Sequence, residues 1–277
     1  MHSYPEIPRV ENAPPDLLED GHLWIQEYVD GAPVRFQVQA SGRIRFGDSE
    51  RVFDGEVPLA YRHAARHVRE RLDREALRGA LDDLESVVFF GVAAHQCAVE
   101  YDWAKTPSFL GLDVWAGENG WLPPDSVAKI YRQLGLRPIN ALEKEVRAAD
   151  FDPGRDEIPS SNWYDGPAAG VLLRSKTGQR AKILRPELRG GTDPDPVEAT
   201  ATELAERCAT DRLFERLAGE LRTHDSPVTV DTLYERAVEG AARECHRRLF
   251  RDDREPDLQA FRSEIAALTR EYLDERD

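Results

Sequence analysis

The spacing of apolar residues changes once along this chain of 277 residues, at a stretch rich in glycine and proline. Before residue 190, short strand-like runs alternate with helical stretches, whereas beyond residue 196 every stretch has a helical period. Between them lies a run with two adjacent glycines and two prolines, in which no regular element is expected. We therefore expect an α+β domain over residues 1–190, a linker at 191–196, and a smaller all-α domain over 197–277.

The α+β half begins with an antiparallel meander. Its strand-like runs are separated by Asp30-Gly31 and Ser41-Gly42, which are dipeptides typical of tight turns. In the second half, Asp211 and Asp231 are expected in the caps or first turns of helices. The expected strands are at 23–25, 34–38, 43–46, 87–91, 109–115, 171–174 and 180–184, and the expected helices at 58–85, 125–134, 197–208, 211–222, 229–249 and 257–274.

The charge balance is acidic and the cations are almost all arginine. The chain has 37 Lys plus Arg against 52 Asp plus Glu, a net charge of −15, and no lysine precedes Lys105. Acid-rich, lysine-poor surfaces are favoured in high-salt cytoplasm, so the composition indicates a halophile-like cytoplasmic protein. The acidic total argues against nonspecific polyanion binding but is compatible with a local arginine-lined groove. No apolar run approaches the roughly 20 residues of a membrane helix, and the first 20 residues are too polar for a signal peptide.

The cysteines and histidines suggest no metal centre. The three cysteines, Cys97, Cys208 and Cys245, are odd in number and widely spaced, which predicts neither a disulfide framework nor a zinc cluster. His95 has no neighbour at metal-site spacing. We therefore expect no metal ligands among these residues.

Five fragments of the first half stand in an order that carries more information than any one of them. They are QEYVDG (26–31), FFGV (89–92), PSFLGLDVW (107–115), AAGVLLR (168–174) and RAK (180–182). This series resembles the ATP-dependent RNA ligases of the covalent nucleotidyltransferase superfamily, and most closely those with a helical C-terminal domain. In that family the motifs are K-x-D-G, apolar-Gly-Glu, an aromatic stretch ending in Asp, E-G followed by two apolar residues, and K-x-K. The resemblance covers about residues 20–190, and the helical tail more weakly.

The resemblance implies a nucleotidyltransferase fold (ATP-grasp-like, the adenylylation domain of DNA and RNA ligases) with antiparallel sheets. It also implies a reaction in which a lysine amine attacks the α-phosphate of ATP, with Mg²⁺ as cofactor, and the AMP passes to an RNA 5′-phosphate before a 3′-hydroxyl displaces it. By the same resemblance an aromatic residue, Phe109 or Trp115, stacks on adenine. The implied nucleotide-binding residues are Asp30, Gly31, Arg35, Phe109, Asp113, Arg174, Arg180 and Lys182.

The sequence differs from the family motifs at the positions whose side chains take part in the reaction. Tyr28 occupies the place of the nucleophilic lysine, and Val92 and Ala169 replace the two motif glutamates. Removing one such group typically costs about 10²–10⁴ in rate. We therefore expect a pseudoenzyme that binds a nucleotide or an RNA end. The alternatives are a divergent ligase or nucleotidyltransferase, with a non-standard nucleophile or a pre-activated substrate, and a protein-interaction scaffold.

A stripe of arginines lies in the first predicted helix. Arg62, Arg66 and Arg69 are spaced i, i+4 and i+7 and therefore share one helical face. Such a stripe can follow a nucleic-acid backbone. The alternative is a solvated face whose arginines pair with the many acidic residues.

Overall fold

The structure is a computed structural model, and it describes residues 1–154, 158–188, 199–250 and 257–276. The expected linker at 191–196 lies outside these residues, and the domain boundaries stay a prediction. The described strands are β1 (His22–Tyr28), β2 (Gly31–Val38), β3 (Ile44–Gly47), β4 (Val87–Ala94), β5 (Phe109–Ala116), β6 (Ala141–Arg147), β7 (Gly170–Ser175) and β8 (Arg180–Leu184).

The strands form two antiparallel four-stranded sheets. The first sheet has the order β6-β1-β7-β8 and the second the order β3-β2-β4-β5. The chain passes from one sheet to the other between β1 and β2, at Asp30-Gly31. A side chain at Gly31 would collide with the carbonyl oxygen of Ala93, so the tight turn needs glycine there.

Strand β6 lies at a sheet edge and was not expected from the sequence. Its residues are mostly charged and exposed, and two of them oppose Trp24 of β1 in a β-bulge. Glu145 sits in this bulge with a φ of 56°, and its carboxylate accepts a 2.9 Å hydrogen bond from the indole of Trp24. The irregular pairing explains why alternation does not mark this strand.

The helices largely follow the expected ranges, with two breaks. Leu72 and Asp73 divide the first helical stretch, and Cys245 interrupts the third helix of the second half. The described helices are α1 (Leu59–Arg71), α2 (Arg74–Ala80), α3 (Pro124–Gln133), α4 (Ala201–Cys208), α5 (Asp211–Thr223), α6 (Val230–Glu244), α7 (His246–Leu249) and α8 (Leu258–Asp274). None of them is long and apolar enough to cross a bilayer.

Thr210 and Thr229 cap α5 and α6, and each accepts a hydrogen bond from the backbone N–H three residues later. Asp211 and Asp231 therefore lie in the first turns.

Each half of the chain has its own buried apolar cluster. Between the second sheet and helices α1 and α3, the rings of Phe36, Phe89, Phe109 and Tyr131 are fully buried. Another cluster joins the helices after residue 199 and also includes Leu59 of α1. The apolar faces of both regions are thus covered, and α1 takes part in both clusters.

A disulfide within the helical half corrects one expectation from the sequence. Cys208 at the end of α4 bonds to Cys245, with a Cα–Cα distance of 5.9 Å. The prediction of no disulfide was wrong because the chain between these cysteines, which are 37 positions apart, folds into helices that bring both ends together.

The helical half docks on α1 through ion pairs. The Arg66 guanidinium donates two hydrogen bonds, of 2.6 and 2.9 Å, to the carboxylate of Glu239 on α6. Arg62 pairs with Glu56 at 2.7 Å, and Arg69 lies over the ring of Phe46. The predicted nucleic-acid stripe is therefore largely engaged within the protein, and Arg66 in particular serves the docking of the two halves.

Candidate functional site

A cavity of about 390 Å³ lies between the two sheets. Its size falls within the range of roughly 300–1,000 Å³ typical of small-molecule sites. Residues from all five motif fragments meet in its walls, although they are far apart in the sequence. The motif positions and adjacent residues that line it are Tyr28, Gly31, Arg35, Phe90, Gly91, Val92, Leu112, Leu172 and Lys182.

Two cationic side chains face this cavity. Arg35 is only 4 % exposed; it donates a 2.8 Å hydrogen bond to the His2 carbonyl oxygen, and its buried Nε has no partner. Burial lowers the pKa of Arg35. The Lys182 ammonium contacts no acceptor in the described part of the chain, while its backbone N–H donates to the Pro8 carbonyl oxygen at 2.8 Å. An anionic group in the cavity would find the Lys182 ammonium available and a second positive charge in the wall at Arg35.

Tyr28, at the end of β1, occupies the position expected of the nucleophile. Burial raises its pKa to about 12, and the nearby Asp30 carboxylate adds to the effect. The phenol is therefore neutral at physiological pH. Because a neutral phenol is a poor nucleophile, Tyr28 offers the cavity an aromatic surface rather than an activated oxygen.

Asp113 forms a buried ion-pair cluster between the sheets. Its carboxylate is 0 % exposed and accepts from Arg174 of β7 at 2.7 Å and from Arg180 of β8 at 2.8 and 2.6 Å. The Tyr4 hydroxyl also donates to it, at 3.1 Å. Asp113 lies on β5, so this cluster joins one sheet to the other. These three motif residues are saturated by one another.

Asp30 belongs to the turn before β2 but does not line the cavity. Its carboxylate accepts hydrogen bonds from the backbone N–H groups of Cys97, Ala98 and Val99, at 3.2, 2.5 and 2.9 Å. Its own N–H donates to the Tyr101 hydroxyl at 2.8 Å. In this structure Asp30 therefore fixes the loop after β4.

The remaining predicted residues lie away from the cavity. Phe109 is fully buried in the core, in contact with Phe36 and Tyr131, and so cannot stack on a ligand without unpacking. Trp115 stacks on His2 at a ring separation of 3.8 Å. Ala169 is fully buried in an apolar cluster. The prediction that Phe109 or Trp115 contacts adenine stays untested.

Sequence reasoning missed the N-terminal segment as part of the site. Tyr4 and the residues up to Ile7 form one wall of the cavity. The Tyr4 hydroxyl reaches Asp113, 109 residues away, and its ring lies 5.0 Å from that of Phe90. No local sequence pattern predicts this contact, because it depends on the path of an irregular segment across the sheets.

The donor set suits a nucleotide better than a divalent metal. The positive charges of Lys182 and Arg35 fit a phosphate, and the apolar walls fit a base. Hard cations such as Mg²⁺ prefer carboxylates, but Val92 and Ala169 supply none at the motif positions. The carboxylates in the walls are Glu6 and Asp48, outside the motifs. The residues present therefore do not fit the family's metal at its usual positions.

The two sheets and their cavity form the nucleotidyltransferase fold of ATP-dependent RNA ligases, which confirms the predicted fold class. An archaeal ATP-dependent RNA ligase is 17 % identical with a TM-score of 0.50, over 90 % of this chain and 64 % of the ligase. An alanine mutant of the Naegleria gruberi RNA ligase with ATP and Mn is 13 % identical with a TM-score of 0.51, over 67 % of this chain and 57 % of the ligase.

This chain spans less than two thirds of the length of either ligase. Identities this low show a shared fold alone. No protein-family model matches the sequence, and neither does any curated protein.

Proposed function

We propose that this protein binds a nucleotide or a phosphorylated RNA end in the cavity between its sheets and does not form a lysyl-AMP. The observation that carries the proposal is Tyr28: it stands at the nucleophile position with a pKa raised to about 12 by burial. No lysine precedes residue 105 that could take its place. The cavity retains recognition groups and lacks the group that begins the family reaction.

Recognition of phosphate would rest on Lys182 and Arg35. Lys182 presents a compact charge on the wall formed by β8, and the Arg35 guanidinium adds a second positive charge in the wall formed by β2. Charge-assisted hydrogen bonds to phosphate are about twice as strong as neutral ones. The solved Naegleria ligase with ATP and Mn has the same fold, which favours a nucleotide as ligand. The cytoplasmic and halophile-like character of the protein stays a prediction.

A second candidate function rests on Lys182 itself. Its ammonium faces the cavity with no acceptor among the described residues. After losing a proton, this amine could attack the α-phosphorus of ATP, forming a nitrogen–phosphorus bond while the bond to pyrophosphate breaks. The protein would then be a divergent nucleotidyltransferase with a non-standard nucleophile.

Binding and labelling experiments separate these functions. Equilibrium binding of AMP, ATP and RNAs with a 5′-phosphate or a 5′-hydroxyl should show preference for the phosphorylated ligands. Lys182→Ala should weaken that binding about tenfold, equivalent to about 1.4 kcal/mol. Lys129→Ala is the matched control, because Lys129 is exposed on α3 and away from the cavity.

Incubation with α-labelled ATP followed by denaturation tests the covalent alternative. The first proposal expects no retained label. Label that disappears in Lys182→Ala would contradict it and support the second candidate. Absence of binding by any of these ligands would overturn both and leave the protein-interaction scaffold.

A further inference from the structure

A cluster of metal-ligating side chains lies outside the cavity, where the helical half meets the end of β4. It consists of His95 and Cys97, which follow β4, and His246, which begins α7. The ligand atoms of these three residues lie within 4.8 Å of one another. The rings of His95 and His246 stack in parallel, with centroids 3.4 Å apart. Two halves of the chain thus supply donors to one point.

His95 has no hydrogen-bonding partner that explains its position. The residue is 0 % exposed, and neither of its ring nitrogens has a partner. An unsatisfied buried polar group costs about 1–3 kcal/mol, so such groups in native proteins usually serve a ligand or an ion. His63 is buried and unpartnered in the same way, and its ring centroid lies 5.8 Å from that of His95.

Backbone hydrogen bonds hold the three ligands in place. The N–H of Gln96 donates to the Arg243 carbonyl oxygen at 2.9 Å, and the N–H of Arg247 donates to the Gln96 carbonyl oxygen at 3.0 Å. The Asp30 carboxylate fixes the other side of the loop through the N–H groups of Cys97 and the two residues that follow. The backbone that carries the three ligands is therefore fixed before any ligand arrives, which lowers the cost of binding.

Burial is the main influence on the protonation of the three ligands. Burial lowers the pKa of His246 to about 4 and that of His95 well below its ordinary value, so both imidazoles are neutral, the form that ligates metals. Burial raises the pKa of the Cys97 thiol to about 12; the Asp30 carboxylate adds to this effect and Arg247 opposes it. The nearby Arg243 guanidinium donates to the carbonyl oxygens of Ala94 and Thr106, at 2.9 and 2.7 Å.

We propose that His95, Cys97 and His246 bind a divalent cation of the zinc class, which links the helical half to the end of β4. Zinc prefers this mixture of imidazole and thiolate ligands. Bond lengths of about 2.0–2.3 Å in a tetrahedral site place ligand atoms about 3.3–3.6 Å apart, so on binding the ligand atoms draw together. One of the two parallel rings also turns, because the lone pair of an imidazole nitrogen lies in the plane of its ring. On binding, the Cys97 thiol releases its proton to solvent and its sulfur bonds to the metal. Within the described residues no fourth ligand lies at this spacing, which leaves that position to water.

Metal titration of the full chain after chelator treatment tests the site. We expect one Zn²⁺ per chain and a Co²⁺ form with thiolate-to-cobalt charge transfer in the near ultraviolet, abolished by added Zn²⁺. Saturating Zn²⁺ should also raise the unfolding temperature, because only the folded state holds all three ligands together. Cys97→Ser should remove the charge-transfer band, and His246→Ala should weaken Zn²⁺ binding about 100-fold or more.

Two controls exclude other sites. The double variant Cys208→Ala with Cys245→Ala leaves Cys97 as the only cysteine, so the band must persist in it. His22→Ala removes an exposed histidine of β1 and should change nothing. The proposal is overturned if the unmodified protein retains no metal, or if Cys97→Ser and His246→Ala bind Zn²⁺ and Co²⁺ as the unmodified protein does.

Discussion

Motif residues lie in two regions between the sheets, the ion-pair cluster and the cavity, and their bonding differs between the two. In the ion-pair cluster, Asp113, Arg174 and Arg180 come from the fragments that resemble the RNA ligases, with Arg180 at the place of the first lysine of K-x-K, and all three are buried and paired within the protein. In the cavity, the positions of the chemistry carry Tyr28 and Val92 instead, while Lys182 is left unpaired in the described structure. Asp113, Arg174 and Arg180 are thus engaged in joining the two sheets, whereas Lys182, which matches the second lysine of K-x-K, is not.

The difference separates two reasons for a residue to match a motif. A carboxylate buried between two guanidiniums cannot be removed without leaving uncompensated charge, so the fold itself depends on Asp113. A nucleophile in an open cavity can be replaced with little effect on folding. A residue that holds the two sheets together is therefore costlier to replace than one that only lines the cavity.

The largest effect is expected at Asp113. Asp113→Asn removes the charge that faces two buried guanidiniums and should lower the free energy of unfolding by about 3–5 kcal/mol. Urea denaturation measures this loss. Asp150→Asn is the control, since its pair with Arg147 is largely exposed and should contribute less than about 1 kcal/mol. Equal losses in both variants would show that the buried cluster contributes no more to stability than an exposed ion pair.

Restoring the two motif glutamates should have unequal costs. Ala169→Glu places a carboxylate in a fully buried apolar cluster and should destabilise the protein by about 3 kcal/mol. Val92→Glu places one in the cavity wall, where solvent or Lys182 can reach it, and should cost about 1 kcal/mol or less. Thermal unfolding of both variants compares them, and a tolerant position 169 would show that the cavity extends farther than the structure indicates.

Alkaline pH should reveal the buried phenol of the cavity. The pKa of Tyr28 rises from 10.0 in the unfolded chain to about 12 in the folded protein. Its contribution to stability is therefore complete below pH 10 and is lost as the pH rises through 12. Tyr28→Phe lacks this loss, so its stability should fall less steeply than that of the unmodified protein between pH 10 and 12. Parallel curves, measured by urea denaturation at each pH, would contradict the assigned burial of Tyr28.

The smallest effect on folding is expected at Lys182. Lys182→Ala should change the free energy of unfolding by no more than about 0.5 kcal/mol, because the ammonium makes no contact with an acceptor in the described structure. The strand pairing of β8 is unaffected, since it uses the backbone. A loss above about 1 kcal/mol relative to Lys129→Ala would show that Lys182, like Asp113, stabilises the fold.

The sequence by itself determined the elements with strong periodicity. The runs at 34–38 and 109–115 and the amphipathic helices after residue 199 fold as expected, because their apolar spacing already specifies one buried face. Five ordered fragments were enough to predict the ligase fold. Strand β6 escaped detection because a charged, bulged edge strand buries too little to impose alternation.

Only the tertiary structure determined which partners the individual polar residues have. It turned Asp30 toward the loop after β4, saturated Asp113 with two arginines, paired Cys208 with Cys245, and brought His246 beside His95. Each of these contacts joins residues distant in sequence. Local periodicity says which face of an element is buried, whereas hydrogen bonds, ion pairs and metal sites depend on which distant side chain meets that face.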